Sequence, residues 1–402
     1  MNKTKIVIVG GGFGGVYTAR NLLKIFGDKA EITIINKNNY FLFTPLLHEV
    51  ATGALTPQSV VESLREVFRG TPVVNIEDTV IEIDKENKIV KTSHSNYSYD
   101  YLVISSGAET NYFGIPGAQE NSFTLKNLSD AIILRNHIIE TFEKASESNC
   151  ADNLTFAIVG AGATGVELVA ELAEYVKETL HSYYNNSKIK KEDIKISIIT
   201  NTAQVISVFP EKMRILAQKS LESKGINVIT NATVSKVENG QITLADSSTL
   251  KAHTIIWVAG VKPSLSNIKG IDIGQKGRMD INEYLQNIND PIIFGLGDAS
   301  GTLPMLAQIA VQQAKTVAYN IYAHKGNLRL QKFETNIKGL LISLGQWNAL
   351  GNFHGLTLNG PVMWFIWRTV YLFNFNSWKR RLEIAIEWTV NLFYPRDITY
   401  LK

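Results

Sequence analysis

Two glycine-rich segments have the residue types and spacing of phosphate cradles. "GGGFGG" at residues 10–15 follows the apolar run "KIVIV", and "GAGATG" at residues 160–165 follows "LTFAIV". In each, glycines allow a tight turn, close approach of a pyrophosphate and close packing of the following helix, whose N-terminus faces the anion. The glycines in these positions are Gly10, Gly12, Gly15, Gly160, Gly162 and Gly165. Two cradles in one chain predict two bound dinucleotides.

The residues that would meet the ribose of each dinucleotide are amides. The strand after the first cradle ends at Asn36, about 20 residues on, where an acid usually accepts the ribose hydroxyls. The corresponding strand after the second cradle leads to Asn201, and no Arg or Lys precedes Lys212 that could bind a 2′-phosphate. We therefore predict NADH at the second cradle, with NADPH tolerated.

Several polar residues could act beside these cradles, and each has an ordinary structural alternative. Asp298 ends the strand "PIIFGLGD", where ligands of doubly wound sheets lie, but it could also cap a helix. Glu167, in the first turn of its predicted helix, could act on a ligand or simply complement the helix dipole. Gln308 and Gln312 share a helix face, as ordinary surface glutamines also would. His48 is a candidate proton relay, although a core or surface histidine is the simpler interpretation.

The elements that position these residues predict an α/β fold with two Rossmann-like dinucleotide-binding domains and a C-terminal amphipathic helical segment. Strands that end in small residues at Ser106, Gly107 and Gly260 are sites where the backbone passes close to a ligand. The Asp298 strand is expected to complete the sheet of the first cradle.

Composition excludes several functions. The 402 residues carry a net charge of +3, too small and too evenly spread to indicate nucleic acid. Cys150 is the single cysteine, so no dithiol redox centre can form, and the seven histidines lack metal-ligand spacing. We predict no bound metal. Because a predicted strand begins almost at once, we expect no signal or transit peptide.

Longer stretches resemble the flavoproteins with two dinucleotide-binding domains, and most closely the single-subunit, non-proton-pumping type II NADH dehydrogenases. The stretches that carry this resemblance are "NNYFLFTPLLHEVATGALTP", "GAGATGVELVAEL", "GLGDAS", "PMLAQIAVQQA" and "WTVNLFYPRDITYL". The resemblance implies transfer of electrons from NADH through FAD to a membrane quinone, either menaquinone or ubiquinone, in a respiratory chain. Asn36 and Asn201 depart from the acids often found in the family.

The resemblance also implies which domain binds each cofactor. It places FAD at the first cradle, with Asp298 at the ribityl region of the flavin, and NADH at the second. We predict a discontinuous FAD domain of residues 1–112 and 260–325, with an NAD(P)H domain of residues 113–259 inserted in it. Residues 326–402 are predicted to form a membrane-associating region.

The site residues follow from the same resemblance. Glu167, Gln308 and Gln312 are the predicted catalytic residues, with Glu167 beside the flavin and nicotinamide and the glutamines at the quinone. The predicted cofactor-binding residues are Gly10, Gly12, Phe13, Gly14, Gly15, Asn36, Lys37, Thr44, Pro45, Leu46, Ser106, Gly107, Gly160, Gly162, Thr164, Gly165, Asn201, Gly260, Gly297, Asp298, Ala307 and Gln308.

Other functions on this scaffold make different demands. Disulfide reductases and sulfide:quinone oxidoreductases need paired cysteines, which the chain lacks. A ferredoxin–NAD(P)H reductase needs no cysteine and is the enzymatic alternative, although it has no use for an apolar tail. A non-catalytic, flavin-containing binding protein is the third class. NADH turnover with menaquinone or with ferredoxin would separate the three.

The tail "PVMWFIWRTVYLFNFNSWKRR" at residues 361–381 indicates contact with lipid. Its apolar runs are too short to span a bilayer. From Trp378 onward apolar residues recur at helical spacing, with Trp388 among them, opposite a polar stripe that includes Glu387 and Asn391. We predict a peripheral, monotopic protein with a helix in the headgroup plane, on the cytoplasmic side of the cell membrane, and Lys379–Arg381 at anionic headgroups. A helix that forms a homodimer or a helix that caps the core could use the same aromatics. Truncation near Pro361 is expected to keep NADH reduction of bound FAD and to abolish turnover with long-chain quinone.

Overall fold

The protein folds into two compact units. The computed structural model describes residues 3–184, 189–301 and 304–400. The first unit comprises Met1–Leu42, Val61–Glu109 and Val261–Ile337, and the second comprises Phe43–Val60, Thr110–Gly260 and Lys338–Lys402. Each unit is therefore assembled from three separate stretches of the chain.

The chain forms short strands and α-helices in both units. The strands are β1 Thr4–Val9, β2 Ala30–Asn36, β3 Tyr40–Leu42, β4 Val61–Ser63, β5 Val74–Glu77, β6 Val80–Asp84, β7 Ile89–Thr92, β8 Asn96–Ser98, β9 Tyr101–Ile104, β10 Ala108–Thr110, β11 Phe123–Thr124, β12 Thr155–Val159, β13 Lys195–Ile199, β14 Asn227–Ile229, β15 Val234–Glu238, β16 Gln241–Leu244, β17 Thr249–Lys251, β18 Thr254–Trp257, β19 Val261–Pro263, β20 Ile293–Gly295, β21 Leu340–Ser343, β22 Ala349–Phe353 and β23 Leu356–Gly360. The α-helices are α1 Phe13–Phe26, α2 Leu47–Ala51, α3 Leu64–Val67, α4 Leu128–Ser148, α5 Ala163–Glu174, α6 His181–Tyr183, α7 Glu211–Ser223, α8 Ala307–Lys325, α9 Pro361–Phe373 and α10 Trp378–Val390.

The first unit is built on a five-stranded parallel sheet in the order β20-β9-β1-β2-β5. In β1 the four residues of segment 6–9 are all buried, as expected for a parallel strand covered on both faces. Helices α1 and α8 pack against each other in this unit. The carboxyl ends of β1, β9 and β20 therefore meet at one edge of the sheet.

The sheet of the first unit is completed by a strand from late in the chain. Strand β20 pairs with β9 in parallel, with Ile293 beside Leu102. The first unit is therefore discontinuous in sequence. Segments 43–60 and 338–402 pack within the second unit. Our domain boundaries, and the cofactor given to each domain, stay predictions.

The second unit repeats this design with a parallel sheet in the order β11-β18-β12-β13-β14. Strand β12 lies between β13 and β18, and α5 follows it directly. The prediction of an α/β fold with two Rossmann-like sheets is confirmed.

The C-terminal region consists of a three-stranded antiparallel sheet, β21-β22-β23, followed by α9 and α10. Helix α9 packs against this sheet and buries Met363, Trp364 and Trp367. Within the described ranges, no helix is both long and apolar enough to cross a membrane. The predicted C-terminal helical segment is thus present as two short helices.

Candidate functional site

The first cradle is the turn from β1 into α1. Gly10 has φ +106°, a conformation that L side chains rarely adopt, and a Cβ on Gly15 would collide with the carbonyl oxygen of Gly10. Gly12, the N-cap of α1, is different: nothing in the described part of the chain lies within 4 Å of a Cβ built there. Gly10 and Gly15 therefore shape the turn, whereas Gly12 leaves space in front of the helix N-terminus.

Asn36 is bound to the first cradle through its side-chain amide. Its Oδ1 accepts the N–H of Gly11 at 2.9 Å, and its Nδ2 donates to the carbonyl oxygen of Asn38 at 2.7 Å. A carboxylate could make the first bond but not the second, because it has no proton to donate. These two bonds give a structural reason for an amide at this position. The neighbouring Lys37 is exposed.

Other predicted residues lie at the same sheet edge, after β9 and β20. Ser106 has a buried Oγ with no hydrogen-bond partner among the described residues, and Gly107 follows it with φ +73°. Gly297 and Asp298 lie in the 3-10 turn Gly297–Ala299 after β20. The open space at the N-terminus of α1, where Phe13 and Gly14 begin the helix, and the buried Ser106 hydroxyl fit an anionic dinucleotide such as FAD.

The predicted quinone glutamines lie in the first two turns of α8, which begins at Ala307. Gln308 is half-buried. The side chain of Gln312 bonds the backbone of Asn336 twice, donating to its carbonyl oxygen at 2.7 Å and accepting from its N–H at 3.1 Å. The next residue, Gln313, which the sequence pattern did not single out, accepts the N–H of Gly297 at 2.7 Å. The roles of Gln308 and Gln312 stay predictions.

The second cradle repeats the first in the turn from β12 into α5. Gly160 has φ +110°, and a Cβ on Gly165 would collide with the carbonyl oxygen of Gly160. At Gly162, the N-cap of α5, nothing in the described ranges lies within 4 Å of an added Cβ. Thr164 is exposed in the first turn of α5, and Asn201 is exposed just after β13. This cradle also fits a dinucleotide phosphate.

Four other predicted contacts belong to the second unit. Thr44, Pro45 and Leu46 form one 3-10 turn immediately before α2, with Thr44 exposed and Leu46 buried. Gly260 follows β18, where an added Cβ would meet the ring of Phe113. The contacts of these four residues with cofactor stay predictions.

Glu167 lies deeper in its helix than the sequence pattern indicated. It is the fifth residue of α5, and the first turn carries no acidic residue, so helix-dipole complementarity does not account for it. Its side chain is 6% exposed, and Oε1 accepts the N–H of Ser343 at 3.1 Å. Burial, together with the charges of Glu49 and Glu171, raises the pKa of Glu167 to about 8. Glu167 is therefore mostly protonated at neutral pH.

Arg396 binds the next two carboxylates along the same helix. Its Nη2 lies 2.5 Å from Oε2 of Glu171 and 3.1 Å from Oε2 of Glu174. Burial alone would raise the pKa of Glu171, but Arg396 lowers it below the ordinary value. Glu171 lies one helical turn beyond Glu167, so the sequence places the two on one helix face, but nothing in the sequence singled out Arg396 as a partner. The only available signal was an arginine in the closing "YPRD".

His48 is buried on α2, with its ring centroid 6.2 Å from that of Trp367. Burial lowers the pKa of His48 to about 4, so the ring is neutral at physiological pH. Its Nε2 has no hydrogen-bond partner within the part of the chain that is described. A neutral ring can still accept or donate a proton, and the relay role stays a prediction.

Helix α10 turns a different face to the protein than its sequence pattern indicates. Trp388, predicted on the apolar face, is 4% exposed and donates its indole N–H to Oε2 of Glu49 at 2.6 Å. Glu387, predicted on the polar stripe, accepts the N–H of Thr56 at 2.9 Å and the hydroxyl of Ser59 at 2.5 Å. Hydrogen bonds to residues of the segment 49–59 thus decide which side chains of α10 face the protein, and hydrophobic spacing alone does not predict them.

Many of the side chains that α9, α10 and the residues after them turn outward are large and apolar. Trp378 is 74% exposed and Phe393 is 78% exposed. We define the apolar surface as Val362, Phe365, Phe373, Trp378, Leu382, Ile386, Val390 and Phe393, all exposed. Exposed apolar side chains in this number mark an interaction site.

The described residues contain no candidate metal centre and no pair of thiols. Across the described residues, no group of three His, Cys, Asp or Glu side chains could hold a metal ion. Cys150 is exposed and is the one cysteine in the sequence, so the chain has no second thiol with which to form a redox pair. The absence of a bound metal stays a prediction.

Two family models match this chain. The family described as "Pyridine nucleotide-disulphide oxidoreductase" matches residues 4–314, and the family described as "NDH2 C-terminal domain" matches residues 337–397. A type II NADH:quinone oxidoreductase of Haemophilus influenzae is 29% identical over 410 residues, covering 91% of this chain and 92% of its own. A type II NADH:quinone oxidoreductase of Staphylococcus haemolyticus is 29% identical over 383 residues, which cover 92% of this chain and 94% of that relative.

A solved structure shares the fold. NDH2 from Plasmodium falciparum in complex with NADH superimposes with a TM-score of 0.88, at 22% identity, covering 99% of this chain and 100% of that chain. The likeness in fold therefore extends over almost the whole of both chains.

Proposed function

Because the chain belongs to the pyridine nucleotide-disulphide oxidoreductase family, we propose that it is an FAD-dependent NADH:quinone oxidoreductase that does not pump protons. FAD, when bound, accepts electrons from NADH and passes them to the quinone. The observation that carries the proposal is the open space among the described residues before two helix N-termini, at Gly12 and at Gly162, which provides two sites for dinucleotide phosphates in one chain. The Ser343 N–H also bonds Glu167 at 3.1 Å, which ties the helix of the second cradle to the region that matches the NDH2 C-terminal domain.

The residues of each cradle would bind and orient one dinucleotide. The α1 N-terminus with Gly12 and Ser106 would hold the FAD pyrophosphate region, and the α5 N-terminus with Gly162 would hold NADH. Protonated Glu167 holds a proton at its carboxyl oxygen, which supports a role in delivering protons to the quinone. NADPH is tolerated because Asn201 carries no charge to repel a 2′-phosphate.

The full-length protein with FAD, mixed with vesicles that contain menaquinone or ubiquinone, tests the function. We expect NADH oxidation coupled to quinone reduction, with one of the two quinones preferred. Turnover with ferredoxin in place of quinone would instead indicate a ferredoxin reductase, and turnover with neither acceptor would indicate a binding protein.

We also propose that the protein lies on the cytoplasmic face of the cell membrane through its apolar surface. Within the basic triplet, Arg380 pairs with Glu383 at 2.7 Å, and Arg381 bonds the carbonyl oxygen of Phe375 at 2.7 Å. Lys379 is more exposed and lies at a longer distance, 3.8 Å, from Glu383. Lys379 is therefore the member of the triplet best placed to meet anionic headgroups.

Charged substitutions on the apolar surface test membrane contact more cleanly than truncation near Pro361, which would also remove Trp388 and Arg396. The triple variant Leu382→Glu, Ile386→Glu, Phe393→Glu is expected to lose sedimentation with vesicles and turnover with long-chain quinone. The reason is that each added charge opposes partition of the apolar surface into lipid. Turnover with a short-chain quinone, which reaches the protein from water, should persist within about threefold.

The matched control is Ile133→Glu, an exposed apolar side chain on α4 outside the apolar surface. It should bind vesicles as the unaltered protein does. Full vesicle binding by the triple variant would overturn the membrane proposal, and a change from dimer to monomer without loss of vesicle binding would assign the surface to a homodimer.

A further inference from the structure

Glu49 is a buried carboxyl that the sequence pattern did not single out. It lies on α2 with 2% of its surface exposed, and its Oε2 accepts the indole N–H of Trp388 at 2.6 Å. A carboxyl removed from water in this way is costly to ionise unless a cation or several donors compensate it. Its protonation state therefore depends on the charges around it.

Those charges come from the elements packed against α2. The charged and titratable groups that interact with Glu49 or with the residues beside it are Glu167 and Glu171 on α5, Arg368 and Tyr371 on α9, and Arg396 in the closing segment, with His48 next to it on α2. Helix α4 also packs against α2, and its Arg135 is engaged by Asp397 at 2.7 Å. The guanidinium of Arg368 is stacked on the rings of Trp364 and Trp388.

These groups leave Glu49 poised to titrate near neutral pH. Burial and the charge of Glu171 raise the pKa of Glu49, while Arg368, Trp388 and Arg396 lower it, with a result of about 7. The charge of Glu49 in turn raises the pKa of Glu167. Two carboxyls in one buried site oppose each other's ionisation, and Glu171 is held ionised by Arg396. Glu49 and Glu167 are thus the members of the group that hold protons.

We propose that Glu49 resupplies the proton that Glu167 delivers during quinone reduction. The inference rests on the proposed function. The overall reaction, NADH + H⁺ + quinone → NAD⁺ + quinol, takes one proton from the medium in each turnover. In the resupply step the O–H bond of Glu49 breaks and an O–H bond forms on the Glu167 carboxylate, with no electrons exchanged. The Glu49 carboxylate then takes up the one proton that the medium supplies in each turnover. Glu49, which acts through Glu167, is a positioning residue in this scheme.

Water has access to the same helix at a cavity of about 520 Å³. Its lining includes Glu174, Lys224 and Arg396. Glu167, Glu171 and Glu174 lie at intervals of four and three residues, so they share one face of α5. The cavity thus opens to the medium beside one end of this face, and α2, which carries Glu49, packs against the same helix.

Glu49→Gln in the full-length holoenzyme tests the inference. The amide keeps the size of the carboxyl, and its oxygen can still accept from Trp388, but it cannot give up a proton at neutral pH. Turnover of NADH with ferricyanide, which takes electrons without protons, should stay within about twofold of the original protein. Turnover with quinone should fall by about tenfold or more, as expected for loss of a proton-transfer group.

A pH profile separates proton supply from a purely structural role. Quinone turnover of the original protein should be full below pH ~7 and fall as pH rises through the pKa of Glu49. Trp388→Phe removes the donor that stabilises the Glu49 carboxylate, so this fall should move to higher pH. A structural role would lower turnover equally at every pH.

Glu387→Gln is the matched control, since it weakens the neighbouring bonds to Thr56 and Ser59 without touching Glu49. Its pH profile should not move. Infrared difference spectra recorded during a pH titration give a readout independent of activity. They should contain a protonated carboxyl band that titrates near pH ~7 and is missing from Glu49→Gln.

Unchanged quinone turnover in Glu49→Gln would overturn the inference. An equal loss of turnover with ferricyanide and with quinone would also overturn it, because a proton donor is not needed for the first acceptor. Failure of the proposed function is recognised by a different result, namely that the original protein does not reduce quinone. In that case the inference about Glu49 is also wrong.

Discussion

Gly162→Val is expected to abolish reduction of bound FAD by NADH while the flavin remains in place. The added side chain would fill the space before the α5 N-terminus, where the pyrophosphate of NADH is predicted to bind, without meeting any described protein atom at its Cβ. At about 2 kcal/mol for each hydrogen bond to a charged group, loss of two backbone N–H contacts with the pyrophosphate would cost about 4 kcal/mol, or roughly a thousandfold in kcat/KM. Stopped-flow reduction and the flavin absorbance of the purified protein measure the two outcomes.

The equivalent change in the first cradle, Gly12→Val, should have the converse result: a folded protein that purifies without flavin. Gly165→Ala is the structural comparison, because its Cβ would collide with the carbonyl oxygen of Gly160 and destabilise the turn itself. Rapid reduction of Gly162→Val by NADH would place the nucleotide elsewhere.

Arg396→Met is expected to destabilise the protein by about 3–5 kcal/mol, because it leaves buried carboxylates without their cation. Arg396 contacts both Glu171 and Glu174. Chemical denaturation at pH ~7 measures the loss in the free energy of unfolding. Lys144→Met is the control, since Lys144 and Glu140 form an exposed pair on α4 whose removal should cost less than about 1 kcal/mol.

The same variant should reverse one contribution to the pH dependence of stability. In the original protein the pKa of Glu171 is below its unfolded value, so its stabilising contribution is present above the unfolded pKa and is lost as pH falls through the folded pKa. Without Arg396, burial would raise this pKa above the unfolded value. The contribution would then be full at low pH and lost as pH rises. A variant equally destabilised at about pH 5 and about pH 8 would contradict this account.

The two cradles could be predicted because their signal is local. A strand, a glycine turn and a helix follow one another within about 30 residues, and each glycine has a separate steric task. Gly12 and Gly162 face open space among the described residues, whereas Gly15 and Gly165 pack against backbone, and the spacing alone places all four.

The cluster of buried carboxyls around Glu49 could not be predicted because its members and their partners are far apart in the sequence. Glu49 and Trp388 are separated by 339 positions, and Glu171 and Arg396 meet only in the folded chain. Helical spacing correctly predicted that Trp388 lies on a helix. It placed the indole on the face turned to lipid, whereas in the structure the indole is buried and bonds Glu49. A hydrophobic pattern cannot reveal that an indole N–H has a carboxylate to bind.

The bonds between Glu387 and the segment around Thr56 also bear on how the protein is made. These residues are 331 positions apart, so the early segment leaves the ribosome long before its partner is synthesised. Its final packing must therefore wait for the last stretch of translation. A chain released before Trp388 would have to bury Glu49 without its indole donor, and cellular quality control would meet a nearly complete protein that is unable to finish folding.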